Sequence, residues 1–182
     1  MRGSIFHRHY GYRPGVGPGR GGGPAFGAGA KVYGVAWDKS TSPALVRTDD
    51  AVGLVANVGV DGQIVQNDFD SAEIFGEITT VTDDAGNVFV RIPKCYIEQT
   101  DGPGFHTWRV TKGAPGKTGY LPACFWDFTN GVELDYVDIG AYPASLSGDN
   151  KLESKAGTYP LVYKTIVGMR GYAQANGAGY QL

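Results

Sequence analysis

The 182-residue chain reads as an α+β protein, mainly β, with one helix near its end. Three observations predict this. Short β-branched and aromatic runs recur from Lys31 onward, divided by clusters of Gly, Pro, Asp and Asn. Those clusters fall where hairpin turns belong, so the early strands are expected to form an antiparallel meander. Helical spacing appears late, where Ile166, Met169, Arg170 and Ala173 recur and Asn176-Gly177 supplies a stop.

Taken in order, Val32 to Trp37 forms the first strand and Asp38-Lys39-Ser40 with Ser42-Pro43 the first turn. Leu45 to Thr48 pairs back on it. Glu77 to Thr82 and Val88 to Ile92 flank Asp83-Asp84-Ala85-Gly86-Asn87, in which Gly86 is free to take positive φ. Pro93 lacks an N–H and must end or bend that strand. Cys95 to Gln99 and Phe105 to Val110 form a third hairpin across residues 100–104. Residues 112–119 read as loop. Val132 to Ile139 alternates apolar and acidic residues, which predicts one strand with a wet, negative face. Residues 141–160 read as irregular. The helix is expected over about 163–176, with Gly168 and Gly171 lowering its intrinsic stability by ~1 kcal/mol each and allowing a neighbouring backbone close.

The net charge of -2 hides two regions. Residues 1–31 carry Arg2, Arg8, Arg13, Arg20 and Lys31 and no acid, while the remainder holds 11 basic and 18 acidic side chains. Ten of the 29 glycines precede residue 31, so this segment has little apolar area to offset its ordering entropy. It is expected to be an assembly arm that takes shape on a foreign surface, with residues 32–182 as the structural domain. Its glycines keep no three-residue period, which rejects a collagen helix. Gly17 to Gly22 fits G-x-G-x-x-G, but no strand precedes it and no helical pattern follows. An Arg/Gly-rich tail suits nucleic acid; the acidic body and few arm aromatics make that partner unexpected. His7 and His9 lack neighbouring acids or thiols for a metal. The longest nearly uncharged apolar stretch, Ala51 to Val60, is about half of the ~20 residues a spanning helix needs. No apolar h-region follows the early arginines either, so neither membrane insertion nor Sec export is expected.

Chemistry is sparse. Ser145-Leu146-Ser147-Gly148 is not a nucleophile elbow. His106, the one histidine of the body, sits in a strand pattern, and Cys95 and Cys124 lie among aromatics as small hydrophobes or a disulfide pair. Acids cluster at Asp68, Asp70 and Glu73, at Asp83 and Asp84, and at Glu133, Asp135 and Asp138. Asn67-Asp68-Phe69-Asp70 is oxygen-rich enough for calcium, yet lacks EF-hand spacing, and turn capping explains it. No catalytic residue, cofactor or metal is expected. The aromatics of the second half, near Asp127, Asn130 and Asp138, suggest a sugar platform at Trp126, Asp127, Asn130 and Tyr142, where ring faces stack on pyranose C–H groups.

Several strings together resemble tail-fibre-like phage structural proteins. They are Val32 to Asp38, Leu45 to Leu54, Asn67 to Asp70, Arg91 to Ile97, Leu121 to Phe125, Asp135 to Tyr142 and Arg170 to Leu182. The resemblance covers roughly 32–182 in consistent order. It implies a non-enzymatic virion protein of tail, collar or capsid surface, with a partial C-type-lectin-like domain within which this chain ends. Implied partners are other virion proteins and further copies of itself, trimeric by analogy. A host-receptor adhesin binding cell-surface glycan is the alternative it implies. Relatives usually carry aromatics where Cys95 and Cys124 stand.

Overall fold

The computed structural model describes residues 29–39, 45–57, 59, 65, 67–113, 119–128, 130–177 and 179–180. Within them the chain is mainly β, its sheets are antiparallel, and one α-helix lies near the end. Residues 32–182, expected as one domain, are distributed over two compact units. One is built from Lys94–Pro122 and the described part of Arg13–Glu77, the other from Ile78–Pro93 and the described part of Ala123–Leu182. Arg2, Arg8, Arg13 and Arg20 of the expected arm lie outside the described residues, as do Ser40, Ser42, Pro43 and Leu182.

The first unit holds a five-stranded sheet in the order β2-β1-β6-β5-β7. Its strands are β1 (Val32–Asp38), β2 (Leu45–Asp49), β5 (Tyr96–Gly102), β6 (Phe105–Thr111) and β7 (Gly119–Tyr120). The hairpins β1–β2 and β5–β6 form where turn residues predict them; Gly104 closes the second at φ 83°. The meander is not continuous, however. β1 pairs along its whole length with β6, from Val32 opposite Thr111 to Asp38 opposite Phe105. Between them in sequence, β3 (Thr79–Thr82) and β4 (Val88–Pro93) belong to a different sheet. Central strands need partners on both sides, and β1 finds its second one 73 positions downstream of Val35 at Trp108.

The second unit centres on the sheet β10-β4-β3, with β10 at Tyr136–Gly140. β4 ends at Pro93 as its missing N–H requires. Val132 to Ile139 is not one strand. β9 (Val132–Glu133) pairs with β8 (Trp126–Asp127), and Leu134 then donates its N–H to the Phe125 carbonyl at 2.7 Å before β10 starts. The expected wet face fails at Asp138, which is buried and opposite Arg91. Arg91 Nε and Nη2 each donate to that carboxylate at 2.8 Å, and the guanidinium lies 3.7 Å from the Tyr136 ring centre. Hydrogen bonding to Asp138 raises the Arg91 pKa further, against the opposing effect of burial. The acid had a partner on the next strand that local alternation does not reveal.

β11 (Ser145–Leu146) and β12 (Leu152–Glu153) form a small hairpin, followed by α1 (Ile166–Gln174). Thr165 caps α1 by accepting from the Gly168 N–H, which shortens the helix expected from 163. Of the four positions that recur at helical spacing, Ala173 is buried, Met169 half-buried, and Ile166 and Arg170 are exposed. Among the described residues no backbone comes close to the two glycines: a Cβ on Gly171 meets nothing within 4 Å, and on Gly168 only the Thr165 hydroxyl at 3.4 Å.

Asp83 organises the β3–β4 turn. It accepts from the N–H groups of Ala85 and Asn87 at 2.9 and 2.8 Å, from Asn87 Nδ2 at 3.0 Å and from the Tyr180 hydroxyl at 3.3 Å. Buried Asn87 passes the network on, its Oδ1 accepting from the Ser154 N–H at 3.1 Å, and Ser154 Oγ donates to the Val88 carbonyl at 2.8 Å. Burial acts to raise the Asp83 pKa, but the bonds from Asn87, Ala85 and Tyr180 outweigh it and hold the carboxyl below its usual value. A depressed folded-state pKa stabilises above the unfolded value of ~3.9 and is lost as pH falls through the folded value. Asp83→Asn, which removes that charge, is therefore expected to melt earlier than wild type at pH 7 and alongside it near pH 2. Thermal unfolding followed by circular dichroism at both pH values tests this; a gap that persists unchanged in acid removes the assignment.

Candidate functional site

The five-stranded unit contains a recess of about 370 Å³ against one face of its sheet. Alternation and register fix the floor. Tyr33 and Val35 on β1, Trp108 and Val110 on β6 and Ile97 on β5 share one face, since Tyr33 opposes Val110 and Ile97 opposes Val110 in turn. The wall comes from two short 3-10 turns, Asp68–Ser71 and Phe75–Glu77, which supply Phe69 and Phe75. Phe75 packs edge-on against Tyr33 at 5.3 Å and against Phe69 at 5.2 Å. The Glu73 N–H donates to the Tyr33 hydroxyl at 3.1 Å, tying wall to floor.

Local chemistry holds Phe69 in place. Asn67 accepts from the Phe69 N–H at 2.9 Å while Asp70 accepts from the Asn67 N–H at 3.1 Å, a reciprocal capping box. The acids read as turn caps thus do cap a turn. Asp68 accepts from the Val55 N–H at 2.8 Å. Arg47 lays its guanidinium 5.1 Å from the Phe69 ring centre and donates to the Leu54 carbonyl. Arg47 and Arg109 are the cations among the described lining residues, and Asp68, Asp70 and Glu73 are exposed next to Phe69 and Phe75 along the chain.

The opposite face of the same sheet is a charge network. Arg109 donates from Nε to Asp49 at 2.8 Å and from Nη1 to Glu98 at 3.3 Å; Glu98 is 5% exposed. Asp49, then burial in the opposite sense, then Glu98 set the Arg109 pKa, which is raised on balance. Gly34 sits beneath this pair.

Chemically, the recess is apolar and ring-lined with an acidic rim, suited to an aromatic or aliphatic group flanked by cations. Farther along that face His106 stacks on Trp108 with centroids 4.0 Å apart, and its Nδ1 lies 3.4 Å from Asp101. Asp101 is also paired with Lys39, whose hydrogen bond lowers the Asp101 pKa. Cys95 and Cys124 do not form a disulfide. Cys95 belongs to the first unit and Cys124 to the second, where burial pushes its thiol pKa up. Among the described residues, no three His, Cys, Asp or Glu side chains group as a metal site, and no helix is long and apolar enough to cross a membrane.

The sequence-predicted residues lie elsewhere. Lys31, at the root of the expected arm, pairs with Asp50 at 2.8 Å, and hydrogen bonding to Asp50 raises its pKa. Trp126, half-buried, starts β8, and Asp127 and Asn130 form the turn that follows. Asp127 Oδ1 accepts from the Asn130 N–H at 3.1 Å, and Oδ2 from Asn130 Nδ2 at 2.6 Å. The pair is brought together, but to bind each other. Tyr142 follows β10, exposed, with its N–H on Ser154 Oγ at 3.0 Å. Sequence reasoning did not find the recess, whose residues run from Tyr33 to Val110. Its local signal was the capping box around Phe69.

Comparison with known proteins returns nothing: no family model, no curated protein and no solved structure matches the chain.

A Cβ at Gly34 would stand 2.6 Å from Asp49 Oδ2 and closer still to Thr48 Oγ1. Gly34→Ala is expected to push Asp49 off Arg109 and to destabilise the chain by about 1–3 kcal/mol. A fall in the urea midpoint at unchanged m-value reports it; an unchanged midpoint contradicts the network's importance.

Proposed function

We propose that the chain is a non-enzymatic structural protein of a phage particle, in tail, collar or capsid decoration, anchored through residues 1–31 and assembled with further copies of itself. The observation that carries an assembly role is an apolar run left open to solvent. Tyr159 and Tyr163 are 94% and 101% exposed, with Val162, Ile166 and Val167 exposed beside them. Monomers rarely present so many large apolar side chains together, and burying a Val or Ile fully stabilises by roughly 1.5–3 kcal/mol. Tyr163 also holds φ 56°, a costly conformation for an aromatic residue. The resemblance to tail-fibre-like proteins supports the virion setting, a partial lectin-like domain and a trimeric state. The basic arm then lies on an acidic neighbour, where arginines make charge-assisted hydrogen bonds.

A glycan-binding adhesin is the alternative. It has less support, because the Asp127 carboxylate is already bound by Asn130. Trp126→Ala is accordingly expected to lower the melting temperature while host adsorption per particle stays within twofold. A tenfold loss of adsorption at an unchanged melting temperature would reverse the preference.

The anchoring role has a direct test. Particles grown with residues 2–30 deleted are expected to carry at least tenfold less of the protein by quantitative mass spectrometry. Incorporation at the wild-type level refutes the anchor.

A further inference from the structure

Resting on that reading, we propose that the ring-lined recess of the five-stranded unit receives an aromatic side chain from residues 6–13 of the arm of a second copy of this chain. The acidic neighbour required by the anchor is then another copy.

Three observations converge. The first is the fit. The recess of about 370 Å³ presents the faces and edges of Tyr33, Phe69, Phe75 and Trp108. An aromatic side chain brings roughly 150–250 Å² of surface to bury in such a place.

The second is charge. Two arginines line the recess, Arg47 and Arg109, and Arg109 is held by Asp49 and Glu98; Asp68, Asp70 and Glu73 stand exposed next to Phe69 and Phe75 along the chain. With Arg109 matched by Asp49 and Glu98, the exposed carboxylates outnumber the remaining arginine. In the arm, Phe6-His7-Arg8-His9-Tyr10-Gly11-Tyr12-Arg13 interleaves three aromatics with two arginines and contains no acid. An inserted ring places a guanidinium one or two residues away, within reach of the rim carboxylates.

The third is reach. Residues 14–31 connect this octapeptide to β1 and are rich in glycine. At 3.3–3.6 Å per extended residue they span at most about 60 Å, enough to cross to an adjacent molecule. An arm seated in its own chain's recess would be unavailable to any neighbour, so the anchoring role requires the seat to be in another copy. The contact is heterologous, and closes a ring or extends a row according to the rotation between copies.

Two full-length variants separate the halves of the contact. Phe6→Ser with Tyr10→Ser and Tyr12→Ser removes the anchors and leaves the recess intact. Gln99→Trp fills the recess from an exposed lining position and leaves the arm intact. If Gln99→Trp fails to fold by circular dichroism, Gln99→Arg plants a repelling cation there instead. By light scattering at 0.1 M salt, wild type is expected to associate, and each variant alone to associate at least tenfold more weakly. Mixing the two variants is expected to restore one working contact and form a heterodimer. Raising the salt to 1 M is expected to weaken wild-type association, since exposed charges are then screened. A monomeric wild type, variants that associate like wild type, or a mixture that stays monomeric each overturns the proposal. Particle incorporation that still depends on residues 2–30 in those cases leaves the anchor standing on a different surface.

Discussion

A carboxylate buried in a sheet has to find a cation on a neighbouring strand, and both units of this chain obey that constraint. Glu98 lies directly opposite Arg109, and Asp138 directly opposite Arg91. Their exposures are 5% and 6%, so neither carboxylate can turn to bulk water. Leaving a buried ion without its partner typically costs about 3–5 kcal/mol. Slipping either strand pair by one residue would put acid and base on opposite faces. Register follows from the pairing, and the rest follows from register: the floor of the recess is the reverse side of the Glu98–Arg109 pair. Each arginine makes a second contact, with Asp49 in one sheet and the Tyr136 ring in the other.

The local structure was legible where short-range chemistry decides it. Asp83 to Asn87 announced a turn, Gly86 took positive φ, and Asn67 with Asp70 announced a cap. Long-range pairing was not legible. Val35 and Trp108 carry no mark that they belong side by side, and a chain of hairpins reads naturally as a meander. The alternation from Val132 to Ile139 misled for a similar reason. It reports which residues differ in polarity, and Asp138 is polar yet buried because Arg91 waits on β4. The residues expected at the sugar platform show a competing local role. Asp127 and Asn130 are good sugar ligands and equally good turn formers, and a separation of three positions lets them serve each other.

The functional proposals share one physical theme, which is incompleteness. The apolar run from Tyr159 to Val167 has surface to bury and nothing described upon it. The recess between sheet and 3-10 turns has ring faces to cover and an unbalanced rim. Residues 1–31 hold rings and basic side chains among ten glycines. On the proposed reading, an assembly of identical chains would cover all three.

Strand order also carries a consequence for synthesis. The β1–β2 hairpin is complete once Asp49 has been made, but the partner of β1 ends only at Thr111. At roughly 5–20 residues per second, a ribosome needs about 3–12 s to make up the difference. During that interval the edge of β1 that β6 later covers has no partner strand. A bare strand edge is a template for another chain, so a pause in synthesis before β6 lengthens the life of that edge, whereas one after it does not.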